Sequence, residues 1–181
     1  MKTFSIFIIT TLLCVGLQAQ QTDNAITWIS HTDTTYNFTV KYPSHWQLKL
    51  PGTNTRFFIT SYKDDDNDMF RDNINCIARD LDQAGFKISD AEAEIMKSLG
   101  GKLKNLKIIK STYSTWNNSE TLDLEYTCNQ ESEGISYDIH VLQRMAMVKK
   151  TLFTLTFTSE EKSYTKFIAI VKKVFQSLIV H

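Results

Sequence analysis

The sequence predicts an α+β domain: a mainly antiparallel sheet of about six to eight strands with helices packed on it. Three observations carry this. Runs that alternate apolar and polar residues recur through the chain, most cleanly over residues 120–128, and a period of two belongs to a half-buried strand. Turn-forming pairs such as Pro51-Gly52, Asn117-Asn118 and Glu133-Gly134 separate these runs by a few residues. Such short links suit hairpins, whereas parallel strands need long crossovers. Finally, Tyr164, Phe167, Ile168, Val171, Val174, Phe175 and Leu178 recur at helical spacing near the C-terminus, and a helix this apolar on one side must lie on a sheet.

The elements follow in order. Residues 1–19 have the layout of a secretory signal peptide: Lys2, an apolar run to Leu17, then Ala19 at the cleavage position. Cys14 raises lipidation as an alternative, against Leu13 where that signal needs a small residue, and a retained N-terminal anchor is another. Residues 20–35 read as a loose lead-in and residues 36–181 as a single domain. Phe38, Val40 and Tyr42 share one face of a first strand, which Pro43-Ser44 ends. Trp46, Leu48 and Leu50 mark a second strand, and the aromatic, β-branched stretch 56–62 a third. After an acidic loop, Ile74, Cys76 and Ala78 mark a fourth. Ser89-Asp90-Ala91-Glu92 is a capping box, opening a helix that runs to about Leu99, where Gly100-Gly101 ends it. Strands then follow at 106–113, 120–128, 135–147 and 151–158. In the second of these, Leu122, Leu124, Tyr126 and Cys128 point inward and Asp123 and Glu125 outward. In the last, Phe153, Leu155 and Phe157 oppose a row of threonines. Ser159 caps the final helix.

The order strand, Tyr42-Pro43-Ser44 with Trp46, strand, acidic loop, Phe70-Arg71-Asp72-Asn73-Ile74-Asn75, strand, capped helix, meander and amphipathic C-terminal helix resembles the PsbP-like family. The resemblance covers about residues 36–178. It implies a fold rather than a reaction: that family includes an extrinsic photosystem II subunit, a nuclear import factor that binds the Ran GTPase and many exported bacterial proteins, and its members look like binding or assembly modules. Each motif also has a plain physical role. Pro43 stops ladder pairing, Trp46 supplies apolar bulk, and Asn73 and Asn75 satisfy backbone groups at a strand entry.

Chemistry is sparse. Lys and Arg number 20 against 20 Asp and Glu, so no field attracts nucleic acid. Asp64, Asp66, Asp68 and Asp72 fall at places of a calcium loop, but Met69 stands where glycine is required and Asn75 where glutamate is. A solvated loop is the expectation, with calcium as the sole cofactor candidate. Cys76 and Cys128 sit on inward strand positions; an exported chain leaves open either a disulfide or two buried thiols. His140 is expected to be a surface or satisfied histidine. No nucleophile elbow, zinc-protease motif or phosphate loop occurs, so an enzyme is not expected. Trp28, Tyr113 and Trp116 fall near loops or strand ends and are candidates for partner contact.

The sequence therefore predicts an exported, non-catalytic binding or accessory module of the periplasm, the extracellular space or the outer envelope. Its partner would be a protein or envelope component, and no transmembrane segment follows the signal. The alternative is a small-ligand or lipid-binding periplasmic protein using a cleft between the sheet and the C-terminal helix.

Overall fold

Each strand of this chain has two faces to satisfy, and the way they are covered determines where a site can form. The computed structural model describes residues 26–63, 69–81, 86–132 and 134–181. Among them the order is β1 (Trp28–Asp33), β2 (Phe38–Pro43), β3 (Gln47–Lys49), β4 (Thr55–Thr60), β5 (Asn73–Asp80), α1 (Ile88–Lys102), β6 (Lys104–Trp116), β7 (Ser119–Ser132), β8 (Ile135–Val148), β9 (Thr151–Glu160), α2 (Glu161–Ser177) and β10 (Ile179–Val180). The main sheet has seven strands in the order β3-β4-β5-β9-β8-β7-β6, and a small sheet has the order β1-β2-β10. All pairings are antiparallel. The predicted fold class holds.

Directly opposed residues of paired strands share a face, so the register sorts every side chain. Cys76 opposes Leu155, Leu155 opposes Arg144, and Arg144 opposes Asp123. This face carries α2. Its core joins Phe57, Ile59, Ile74, Phe153, Leu155 and Phe157 of the sheet to Phe167, Val171, Val174 and Phe175 of α2 and to Phe38 and Val40 of β2. Phe153 lies at its centre, met edge-on by Tyr36, Phe38 and Trp116 with ring centroids 6.3, 6.0 and 6.0 Å away. Truncating a phenylalanine so enclosed costs about 3–5 kcal/mol. The opposite face carries α1, where Leu122, Leu124, Tyr126, Cys128, Ile139, Val141 and Met145 meet Ile88, Ile95, Met96 and Leu99.

The two helices are offset. α1 packs on β6, β7 and β8, whereas α2 packs on β8, β9 and β2. On the α2 face, the β6–β7 end of the sheet therefore lies beyond the helix.

Several expectations are corrected. Residues 28–33 are strand β1 rather than loose lead-in, held in full register against β2. Of the two possibilities left open for Cys76 and Cys128, the structure has the buried free thiols, on opposite faces of the sheet. Burial pushes both thiols up. The capping box does not form. Ser89 donates its hydroxyl to Glu120, 3.0 Å away, while Glu92 accepts from the Ser111 and Tyr113 hydroxyls at 2.6 and 2.7 Å. α1 starts at Ile88 and includes Gly100 and Gly101. Ser159 donates to Asp72 and to the Glu160 carbonyl, and the cap position of α2 falls to Glu160.

The small sheet is clamped to the main one by a part-buried ion pair between Arg56 and the buried Asp33. Arg56 Nε donates to Asp33 Oδ2 at 2.7 Å, and the Thr35 and Tyr36 amides donate to Oδ1 at 2.9 and 2.8 Å. The Arg56 guanidinium also lies 5.1 Å from the centre of the Tyr36 ring. Burial alone would raise the Asp33 pKa, but Arg56 and the two amides outweigh it and hold the carboxyl below the usual range. A carboxyl lowered in this way stabilises the fold fully above the ordinary carboxylate range, and the contribution is lost as pH falls through the lowered native value. Arg56→Ala, which leaves that carboxylate buried without its cation, should cost about 3 kcal/mol in urea unfolding at neutral pH. Asp33→Asn should flatten the acid limb of the stability–pH curve.

Candidate functional site

The open end of the α2 face forms a cleft of about 220 Å³ lined by Lys110, Thr112, Asp123, Glu125, Leu142, Arg144, Lys172, Phe175 and Gln176. Three strands and one helix build it. Lys110 and Thr112 of β6 oppose Glu125 and Asp123 of β7, and these oppose Leu142 and Arg144 of β8. The last turns of α2 form the wall, bringing Lys172 and Gln176 to the rim and Phe175 beneath them.

Two fixed carboxylates organise the cleft. Arg144 grips Asp123 with a fork, Nε to Oδ1 at 2.8 Å and Nη2 to Oδ2 at 2.9 Å, and its guanidinium lies 5.9 Å from the centre of the Phe175 ring. Paired planar contacts of this kind fix geometry as well as charge. Glu125 Oε1 accepts the Tyr164 hydroxyl at 2.9 Å and lies 3.0 Å from His140 Nε2. The His140 and Tyr164 rings stack, 3.5 Å apart and tilted by 7°. Burial first, and then the bond to Glu125, raise the Tyr164 pKa, so the hydroxyl remains a donor. Lys110 and Lys172 are both exposed at the mouth.

Chemically the cleft presents paired charges beside an apolar wall. Both carboxylates are committed to internal partners, and the two lysines supply exposed positive charge beside them. A hollow of about 500 Å³ on the α1 face is lined by Asn54, Ile77, Arg79, Lys102, Gln143, Leu152 and Thr154; its lining holds no carboxylate.

The residues singled out in the sequence lie elsewhere. Trp116 is buried, packed against Phe153, and offers no contact surface. It turns inward because the Asn117-Asn118 turn, with φ of 48° and 58°, folds β6 directly back into β7. Trp28 is half-buried against the same core. Tyr113 is 42% exposed, on the α1 face, with its hydroxyl bound to Glu92. Asp64, Asp66 and Asp68 lie outside the described residues. Asp72 is buried, accepting the Ser159 hydroxyl at 2.5 Å with its carboxylate and the Ser61 amide at 2.8 Å with its carbonyl. Among the described residues no group of three His, Cys, Asp or Glu side chains is placed to hold a metal. Sequence reasoning missed Asp123 and Glu125, because charged residues on a strand read as its solvent face, whereas His140 is the satisfied histidine expected, partnered by Glu125. The available signal was the match in register between that face and the Arg144 and His140 positions of the next strand.

The motif residues close the fold. The Trp46 amide donates to the Pro43 carbonyl at 3.0 Å, and its indole meets Phe167 of α2 edge-on at 5.5 Å. Phe70 packs on Tyr137 at 5.3 Å, Arg71 Nε donates to the Ser61 carbonyl at 2.9 Å, and Asn73 donates to the Arg71 carbonyl at 3.0 Å.

Glu125 is the shared acceptor of the cleft's inner end, so its loss and that of the tyrosine hydroxyl should be coupled. In a double-mutant cycle of Glu125→Ala and Tyr164→Phe read by urea unfolding, each single change should cost about 1–2 kcal/mol. The pair should show about 1 kcal/mol of coupling.

The PsbP family profile matches residues 27–180. No curated protein matches the chain. Among solved structures, CyanoP, the cyanobacterial PsbP of Synechocystis sp. PCC 6803, is similar with a TM-score of 0.61 at 15% identity, covering 91% of this chain and 99% of that one. LpqN of Mycobacterium tuberculosis, described as involved in cell envelope biogenesis, reaches 0.60 at 12% identity, covering 87% and 92%. A Pseudomonas aeruginosa protein of unknown function, PA94, reaches 0.60 at 13% identity, covering 85% and 97%. Likeness at such identities concerns the fold alone; the profile match, which spans β1 to β10, shows that the chain belongs to the PsbP family.

Proposed function

We propose that this protein is an exported, non-catalytic accessory module that docks on a protein or another envelope component through the cleft between α2 and β6–β8. The observation that carries the reading is the cleft's composition. Its carboxylates are held by Arg144, His140 and Tyr164, its lysines stand at the mouth, and Phe175 gives it an apolar wall. Fixed charges of both signs around an apolar patch confer specificity and orientation on a docking partner.

The alternative of an acyl-chain or small-ligand carrier fits less well. The cleft is below the roughly 300–1,000 Å³ of most ligand pockets, and such pockets are lined mainly by apolar side chains. Export rests on residues 1–19, outside the described residues. It is supported by the envelope role stated for LpqN. Among the described residues no helix is long and apolar enough to cross a membrane.

The test is crosslinking in the native envelope. A photoreactive side chain at Gln176, on the cleft rim, should yield a reproducible adduct identifiable by mass spectrometry, and Lys172→Glu should reduce its yield. The same group at Thr154, on the α1 face, should yield none. Equal adducts at both positions, or none at either, would count against docking at this cleft.

A further inference from the structure

β6 is the last strand of the main sheet, so one of its edges presents main-chain N–H and C=O groups that no described strand pairs. It runs for 13 residues with only Trp116 buried. Its two halves differ. Over residues 104–110 the register against β7 slips twice, and Asn105 takes a φ of 53°. Such bulges turn an edge away from other chains. Over residues 110–116 every residue stays in register with β7, and no proline or glycine interrupts the strand. One half of the edge is blunted and the other is left open.

Charge and face specify what would fit it. β6 carries Lys104, Lys107 and Lys110 and no Asp or Glu. Lys110 and Thr112 face the cleft, where Lys172 adds a further cation. Ser111 and Tyr113 face α1, where Glu92 already accepts both hydroxyls. A strand laid along this edge would therefore find on the α2 side the exposed cations Lys110 and Lys172, with Asp123 and Glu125 already taken by Arg144, His140 and Tyr164, and a carboxylate already in place on the α1 side.

We infer that residues 110–116 of β6 take up an extended acidic segment of a partner polypeptide as an additional strand. Alternate carboxylates of that segment are directed toward Lys110 and Lys172, and its neutral side chains lie over Tyr113. Main-chain pairing supplies affinity, and the alternation supplies specificity. The inference rests on the reading of the chain as a docking module and names the chemistry of its partner.

The test is a titration of the purified protein with a short synthetic peptide alternating Glu and Thr, followed by amide hydrogen exchange in NMR spectra. The outward-pointing amides within residues 110–116 should become protected. The same peptide with Lys in place of Glu should not bind. A Lys110→Glu, Lys172→Glu double variant should bind the Glu peptide about tenfold more weakly. Absence of protection, or equal binding of the Lys peptide, would overturn the inference. So would protection that appears with protein concentration alone, which would assign the edge to a second copy of this chain. An adduct at Gln176 in the envelope without edge protection here overturns the added strand and leaves the docking reading in place.

Discussion

The contact on which the rest of the fold depends is the seating of the α2 apolar stripe on β8 and β9. Phe167, Val171, Val174 and Phe175 are all essentially sealed from solvent there, with Leu155 and Phe157 beneath them. Burying side chains of this size contributes about 1.5–3 kcal/mol each. The same seating draws the small sheet into the core, because Phe38 and Val40 of β2 share it, and it places β10 where Asn117 can hold it. The Asn117 amide donates to the Leu178 carbonyl at 3.2 Å, and its side-chain oxygen accepts the Val180 amide at 3.1 Å. A helix has one apolar stripe of limited width, so α2 cannot also cover β6 and β7.

That shortfall explains the chemistry of the cleft. β7 must be apolar toward α1, and it is, through Leu122, Leu124, Tyr126 and Cys128. Its other face lies under the margin of α2, half-buried, where an aliphatic side chain would be exposed and an unpaired charge would be costly. Asp123 and Glu125 meet that condition by taking partners from the next strand and the helix: Arg144, His140 and Tyr164. These part-buried pairs hold the two carboxylates in a defined geometry at the edge of the helix.

Much of this was legible in the sequence. The alternation over residues 120–128 and 151–158 and the helical stripe beginning at Tyr164 each describe a face that must be buried, and each lies where periodicity places it. What could not be read depends on partners distant in sequence. β1 is mostly exposed and β10 is two residues long; neither has a pattern of its own, and both exist because β2 offers them a ladder. Ser89 and Glu92 match a local capping motif, yet Glu120, Ser111 and Tyr113 compete for them and win. Trp116 stands beside a turn, where indoles are often exposed, but its side chain lies over Phe153. Asp123 and Glu125 read as solvated because sequence reveals the alternation of a strand and not what lies across it.

The short motifs around Pro43, Trp46 and Asn73 belong to the same account. They tie the loops at one end of the sheet to α2 and to β4, and so support the fold of the PsbP family without entering the cleft. The proposed docking cleft lies instead where the helix ends and the sheet continues. The most direct measurement is amide hydrogen exchange of the folded chain, by mass spectrometry, with and without solubilised envelope from its source. Protection is expected to be confined to β6 and the last turns of α2, with β4 and β5 unchanged. Protection centred on the α1 face, or none anywhere, would contradict docking at the cleft.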